Sequence, residues 1–138
     1  GNTIRDNQTD FGAGLAIFSC DGATLIHNDI LSNTALAAGG VYFGYTGWTT
    51  RALVMSNTIA YNSSVGTSAG IHVMYGPSDF IGNHIHHNVS SNSDSGGMYV
   101  FSSEARIESR GSCFATERSS LMDFTTGASS SRATKRSS

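Results

Sequence analysis

The chain has 138 residues, which is enough for one domain with a buried core and too short to expect two. Only 13% of the residues are charged and the net charge is −2, so there is no electrostatic basis for binding nucleic acid or an anionic membrane. No apolar run approaches the ~18–20 residues that cross a bilayer, and no membrane span is expected.

The pattern Asn-x-Ile-x-x-Asn occurs four times along the chain and contains eight of the nine asparagines. Its copies begin at Asn2, Asn28, Asn57 and Asn83, at intervals of 26, 29 and 26 residues. Asparagine tolerates left-handed backbone, and its carboxamide can bond to the same group one repeat away. We therefore predict left-handed corners at these asparagines and a hydrogen-bonded ladder of Asn28, Asn33, Asn57, Asn62, Asn83 and Asn88.

A second pattern lies between these copies, a glycine followed by alternating apolar residues. It reads "GLAIF" from Gly14, "GVYFG" from Gly40, "GIHVM" from Gly70 and "GMYVF" from Gly97, at intervals of 26, 30 and 27 residues. A period of two is typical of a strand with one buried face. The predicted inward residues are Leu15/Ile17, Val41/Phe43, Ile71/Val73 and Met98/Val100, with Ile30, Ile59 and Ile85 forming another column. Each glycine is expected where a side chain would crowd the neighbouring repeat.

Two independent patterns with one period indicate a repeat protein. Units of 26–30 residues with short strands predict an all-β parallel β-helix of about four coils over residues 1–109. This solenoid would be open at both ends, so further coils of a longer parent chain are expected partners. The low charge and the abundance of Asn, Ser and Thr favour an extracellular or cell-surface location, with any signal peptide upstream.

These units resemble the right-handed parallel β-helix repeats of pectate-lyase-like proteins, in which a Gly-led strand is followed by Asn-x-Ile-x-x-Asn. The resemblance covers residues 1 to about 109 and implies the right-handed sense of the coil. Such proteins often bind or cleave polysaccharides along an outer strand face, so a polysaccharide is the expected partner.

Aromatic residues occupy the outward positions of the predicted Gly-led strands. Tyr42, His72 and Tyr99 fall at one outward position in successive coils, where Ala16 stands in the first. Phe18, Met74 and Phe101 form a second outward row. Flat amphipathic rings can stack on sugar rings, although aromatic residues also line sheets for stability alone. The predicted substrate-binding residues are Tyr42, His72, Tyr99, Trp48 and Tyr75.

Catalytic residues are harder to assign. Asp21, Asp79 and Glu104 are the carboxylate candidates, expected in comparable loops before a strand. Asp21 and Asp79 would lie two coils apart, ~10 Å, at the wide end for an inverting hydrolase pair. Residues 1–109 contain no lysine and three arginines, none predicted to align with paired acids as a lyase base would. Exposed surface carboxylates are the simpler interpretation.

Three histidines interrupt the fourth Asn copy, "NHIHHN". His84 and His86 should project outward on one strand face as a two-ligand metal pair. The same positions hold ordinary surface residues in the other copies, such as Asp29 and Thr58. We therefore favour solvated surface histidines and expect neither a metal nor another cofactor.

The periodicity stops near residue 109. Residues 110–138 are Ser-rich and predict an irregular polar tail. An alternative is a frameshift product: permitted codons allow another frame to read "GGVLFEGDEAIL", a Gly-led strand on period, and sequencing the DNA would test this.

Two functional classes remain open. One is a fragment of an extracellular β-helix that binds or degrades a polysaccharide along the outer face containing Tyr42, His72 and Tyr99. The other is a noncatalytic surface solenoid, an adhesin or passenger-type domain. The sequence leaves open whether the chain is an enzyme.

Overall fold

Each coil of the chain is built from short strands that stack on the matching strands of neighbouring coils. The computed structural model describes residues 1–46, 49–92, 95–101 and 105–108, and three strand segments at 114–116, 122–123 and 134–135. Within these residues there is no helix. The strands in chain order are β1 (Thr3–Arg5), β2 (Gln8–Phe11), β3 (Leu15–Phe18), β4 (Thr24–Ile26), β5 (Asp29–Leu31), β6 (Thr34–Ala37), β7 (Val41–Gly44), β8 (Ala52–Met55), β9 (Thr58–Ala60), β10 (Ser63–Ser64), β11 (Ile71–Met74), β12 (Ser78–Ile81), β13 (His84–Ser90), β14 (Met98–Phe101), β15 (Ala105–Glu108), β16 (Phe114–Thr116), β17 (Met122–Asp123) and β18 (Thr134–Lys135).

Four parallel sheets run along the axis of the solenoid. The first contains β1, β5, β9 and β13, and the second contains β2, β6, β10 and the end of β13, so β13 joins the two. The third contains β3, β7, β11 and β14, and the fourth contains β4, β8, β12 and β15. β16 extends the first sheet, and β17 pairs with β18 separately and antiparallel. The predicted parallel solenoid of about four coils is confirmed.

The interior is made of apolar columns. Register aligns Ile4, Ile30, Ile59 and Ile85 in the first sheet, and the last three are at most 1% exposed. The inward residues predicted for the Gly-led strands align in the same way in the third sheet. The fourth sheet adds Leu25, Val54 and Phe80 to the same core. Burial of each large side chain contributes roughly 1.5–3 kcal/mol, so the columns are the main source of stability.

Two asparagine ladders follow the edges of the first sheet, as predicted. In the second ladder, the Asn33 backbone N–H and Nδ2 both donate to Oδ1 of Asn62, at 2.9 and 3.0 Å. Asn62 donates in turn to Oδ1 of Asn88, and its Nδ2 also donates to the Ile30 carbonyl at 3.0 Å. The first ladder repeats this arrangement through Asn2, Asn28, Asn57 and Asn83. Each side chain therefore satisfies buried turn groups that water cannot reach.

The left-handed corners lie one residue earlier than predicted. Positive φ angles occur at the residue before each ladder asparagine from Asn7 onward: Asp6, His27, Ser32, Ser56, Tyr61, Gly82 and His87. No ladder asparagine has a positive φ, so the assignment of left-handed backbone to the asparagines was wrong. The preceding residue makes the turn and exposes its side chain, which leaves the asparagine free to point inward to its partner.

The glycines that lead the third-sheet strands are required by close approach between coils. A Cβ on Gly40 would collide with the carbonyl oxygen of Gly70, and one on Gly70 with that of Gly97. Because the obstacle is backbone, no rotamer change would relieve the contact. The predicted crowding at these positions is confirmed.

The proposed tail at 110–138 lies outside the described residues except for the three strand segments, and the frameshift interpretation stays a prediction. Among the described residues, no helix is long and apolar enough to cross a membrane.

Candidate functional site

Three rings form a column on the outer surface of the third sheet. Register places Tyr42 beside His72 and His72 beside Tyr99, with Ala16 at the same position in the first coil. Ring centroids are 5.4 Å apart for Tyr42 and His72, and 5.0 Å apart for His72 and Tyr99. The predicted column of rings is present, and we call it the aromatic column.

The centre of the aromatic column is covered. His72 is only 4% exposed, and its Nδ1 shares a 2.7 Å hydrogen bond with the Thr67 hydroxyl. Its Nε2 is buried without a hydrogen-bond partner among the described residues. Burial lowers the pKa of His72, so the ring is neutral near neutral pH. His72 therefore supports the two tyrosines and does not present its own surface to a ligand.

A second row of rings is more accessible. Phe18, Tyr45, Tyr75 and Phe101 follow one another along the solenoid axis, and we call them the aromatic strip. Successive ring centroids are 5.4, 4.9 and 5.6 Å apart. Phe18 is 56% exposed, Tyr45 38% and Phe101 41%. Tyr75 is half-buried, so the strip is a line of rings across all four coils in which three rings are exposed.

The backbone explains how the aromatic strip forms. Tyr45 and Tyr75 follow the last residues of β7 and β11 and have φ angles of 55° and 52°, so the chain turns and both rings swing to the outside. Gly44 lies at the outward position that Phe18 and Met74 occupy in the neighbouring coils, and a Cβ there would meet the rings of Phe18 and Tyr42 at 2.7 Å. The missing side chain lets Phe18 lie parallel to Tyr42, at 6.4 Å and 9°.

Tyr42 links the aromatic column to the aromatic strip. Its hydroxyl donates to the Met74 sulfur at 3.5 Å. Burial, reinforced by Tyr45, raises the pKa of Tyr42, which keeps the phenol protonated as a hydrogen-bond donor. Phe11 packs edge-on to Tyr42 at 6.3 Å and is 62% exposed.

Part of this surface is predictable from the sequence. Tyr75 was predicted and belongs to the aromatic strip, whereas Trp48 lies outside the described residues. Phe11 was missed because it ends a strand that carries neither repeated pattern. The sequence places Tyr45 and Trp48 in an insertion of the second coil, but it does not predict the left-handed turn that sets the Tyr45 ring between Phe18 and Tyr75.

The carboxylate candidates are held by structural interactions. The Asp21 carboxylate accepts a hydrogen bond from the Thr49 hydroxyl. It also accepts hydrogen bonds from the backbone N–H of Thr49 at 3.0 Å and from that of Thr50 at 2.8 Å. The Thr49 hydroxyl, with the two backbone groups, lowers the pKa of Asp21. This carboxylate therefore anchors the neighbouring coil.

Asp79 does not lie in a loop comparable to that of Asp21, so this part of the prediction was wrong. Asp79 is within β12, aligned with Leu53 and with Arg106. It pairs with Arg51 at 2.7 Å. Glu104 lies outside the described residues. Of the two candidates that the structure describes, Asp21 therefore lies outside the strands and Asp79 lies within one.

The three histidines gather at one corner of the first sheet. The ring centroids of His84 and His86 are 4.3 Å apart, and the Nδ1 atoms of His86 and His87 are 2.7 Å apart. Burial is the main cause that lowers the pKa of His86, and electrostatic repulsion between its charged form and the His84 and His87 rings lowers it further. Among the described residues, no group of three His, Cys, Asp or Glu side chains could hold a metal ion.

A family model described as a right handed beta helix region matches residues 1–114. No curated protein and no solved structure matches the chain.

Proposed function

Because the chain belongs to the right-handed β-helix family, we propose that it binds an extracellular polysaccharide along the aromatic strip. This proposal is supported mainly by the row of rings in the strip, whose successive centroids are 5.4, 4.9 and 5.6 Å apart. This spacing is close to the length of one sugar residue in an extended polysaccharide. A glycan chain laid along the solenoid axis would place successive sugars over successive rings.

The chemistry of the rings suits such a ligand. The Tyr45 and Tyr75 rings stack on each other with planes 24° apart, so the strip offers a sugar the outer, apolar carbon surface of its rings, and the tyrosine hydroxyls can bond to the sugar oxygens. The Tyr42 hydroxyl currently donates to a thioether sulfur, which is a weak acceptor. A sugar hydroxyl would be a better acceptor and can take its place. Tyr42 and Tyr99 would thus flank the bound chain as hydrogen-bonding groups.

A noncatalytic solenoid remains the second candidate, and the carboxylates favour it over an enzyme. Glycoside hydrolysis needs two carboxyl groups on either side of one bond. Asp21 is bonded to Thr49 and Thr50, and Asp79 is paired with Arg51. Binding without cleavage fits these contacts, and an adhesin-type role would use the same solenoid for display.

Retention of the full chain in gels containing soluble polysaccharides tests the proposal. We would use polygalacturonate as an acidic probe, and xylan and a β-glucan as neutral probes. The Tyr45→Asn/Tyr75→Asn double variant should lose retention, because asparagine tolerates the left-handed backbone but offers no ring. The Tyr42→Ala/Tyr99→Ala double variant should weaken retention.

Tyr61→Asn is the matched control. Tyr61 is 58% exposed and has a φ of 57°, but it lies at a corner of the first sheet. Its replacement should leave retention unchanged. If none of the three probes retards the wild-type chain, this result would contradict polysaccharide binding and favour the noncatalytic solenoid. Release of reducing ends from a retained probe would show cleavage as well.

A further inference from the structure

His86 and His87 converge although they are neighbours in sequence. In a regular strand, adjacent side chains point to opposite faces. His87 has a φ of 51°, so the chain turns there and brings the second ring beside the first. The two Nδ1 atoms are 2.7 Å apart as a result.

Neighbouring rings fix the orientation of this pair. Tyr61, from the preceding coil, stacks on His87 with centroids 5.0 Å apart and planes 18° apart. The same ring meets His86 edge-on at 5.6 Å and 84°. His84 lies on another side of His86, with centroids 4.3 Å apart. The two imidazoles are therefore positioned before any ligand arrives.

The protonation states permit metal binding. A hydrogen bond between two Nδ1 atoms requires that one carries the proton and the other a lone pair. If that proton moves through solvent to Nε2 of its own ring, both Nδ1 atoms carry a lone pair and lie 2.7 Å apart.

We propose that the Nδ1 atoms of His86 and His87 chelate one Cu²⁺ ion, with water in the remaining positions. For metal–nitrogen bonds of ~2.0–2.1 Å, ligands at a right angle lie ~2.9 Å apart and tetrahedral ligands ~3.3 Å apart. The 2.7 Å between the Nδ1 atoms of His86 and His87 is closer to the separation of two ligands at a right angle than to that of two tetrahedral ligands. Tetragonal nitrogen and oxygen sites suit Cu²⁺, whereas Zn²⁺ prefers tetrahedral ones.

This site differs from the His84/His86 pair expected from the sequence, and it is independent of polysaccharide binding. His84 flanks the chelate and is not a ligand, consistent with the absence of a three-residue metal group among the described residues. The aromatic strip belongs to the third sheet, whereas the histidines belong to the first.

Titration of the full chain with Cu²⁺, followed by calorimetry and electron paramagnetic resonance, tests the site. The wild type should bind one ion, with a spectrum that shows two imidazole nitrogens. His86→Gln and His87→Asn should each weaken binding by about tenfold or more, at least the effect of losing a supporting partner. Asparagine preserves the left-handed backbone at position 87.

Two further variants separate this chelate from adventitious binding. His27→Asn removes another exposed histidine with positive φ, and His84→Asn removes the flanking ring; neither should alter the affinity appreciably. The proposal would be overturned if the wild type showed no saturable Cu²⁺ binding, or if it bound Zn²⁺ as tightly as Cu²⁺. It would also be overturned if His87→Asn kept the full Cu²⁺ affinity, or if His84→Asn lost Cu²⁺ binding. Broadening of the His86 and His87 ring signals by Cu²⁺ in the wild-type NMR spectrum tests the site without any variant.

Discussion

The inward position and the two corners of the first sheet repeat one residue from coil to coil, whereas the outer face of the third sheet changes. Ile4, Ile30, Ile59 and Ile85 align inside, and two ladders align asparagine with asparagine. The outer column reads alanine, tyrosine, histidine and tyrosine. An interior residue contacts its own counterpart one coil away, so a shape that stacks on itself is favoured. The outer residues need only cover the sheet, which leaves them available for recognition.

Two phenylalanines of the third sheet give the largest contrast between inside and outside. Phe43 is fully buried and packs edge-on to Phe80 at 6.2 Å, whereas Phe18 is 56% exposed. Phe43→Ala should lower the free energy of unfolding by about 3–5 kcal/mol through lost burial and a cavity. Phe18→Ala should cost less than about 1 kcal/mol, since much of its ring is already in water. Urea unfolding of both variants measures the difference, and equal losses would contradict it.

The asparagine ladders provide the next contrast. Asn62→Ala should lower the free energy of unfolding by about 3 kcal/mol, because the buried groups of Asn33, Asn88 and Ile30 lose a partner. Asn92→Ala is the matched control, since Asn92 is the one asparagine outside the repeated pattern and is exposed. It should change stability little. A loss of similar size at both positions would mean that the ladder adds nothing beyond ordinary surface contacts.

The repeated patterns predicted the interior because each pattern records a constraint that acts in every coil. The period of 26–30 residues and the inward alternation were sufficient to assign the columns, the ladders and the crowded glycines. The site was only partly predictable because it depends on events in single coils. Thr67 covers His72 and Gly44 makes room for Phe18, each in one coil only. The left-handed turns at Tyr45 and His87 do recur at matching positions of other coils, but the side chain that each turn exposes differs from coil to coil.

The buried His72 makes the outer face sensitive to pH. Its pKa is lowered in the folded chain from an ordinary value of ~6.5, so the unfolded chain binds more protons below that pH. The contribution of His72 to the free energy of unfolding is therefore fully present above pH ~6.5. It is lost as the pH falls toward the pKa of His72 in the folded chain, by no more than ~1.4 kcal/mol per pH unit. His72→Phe, which keeps a ring between Tyr42 and Tyr99, should flatten the dependence of stability on pH between 7 and 5.

Urea unfolding of wild type and variant at each pH measures this effect. His86 titrates in the same direction, so a smaller slope should remain in His72→Phe. An unchanged slope in His72→Phe would show that the buried ring is not the group responsible.

The smallest expected effect concerns the ion pair on the fourth sheet. The side chains of Arg51 and Asp79 are 24% and 26% exposed, and solvent screening limits such a pair to about 0.5 kcal/mol. A double-mutant cycle with Arg51→Gln and Asp79→Asn should give a coupling energy of that size. Because the pair would act as a brace between coils and not as a catalytic acid, Asp79→Asn should leave polysaccharide retention unchanged. The opposite result would be that Asp79→Asn abolishes cleavage of the retained probe while the fold persists. The outer faces of both the third and the fourth sheet would then take part in function, and the contrast between a structural interior and an exterior that recognises ligands would apply to both sheets.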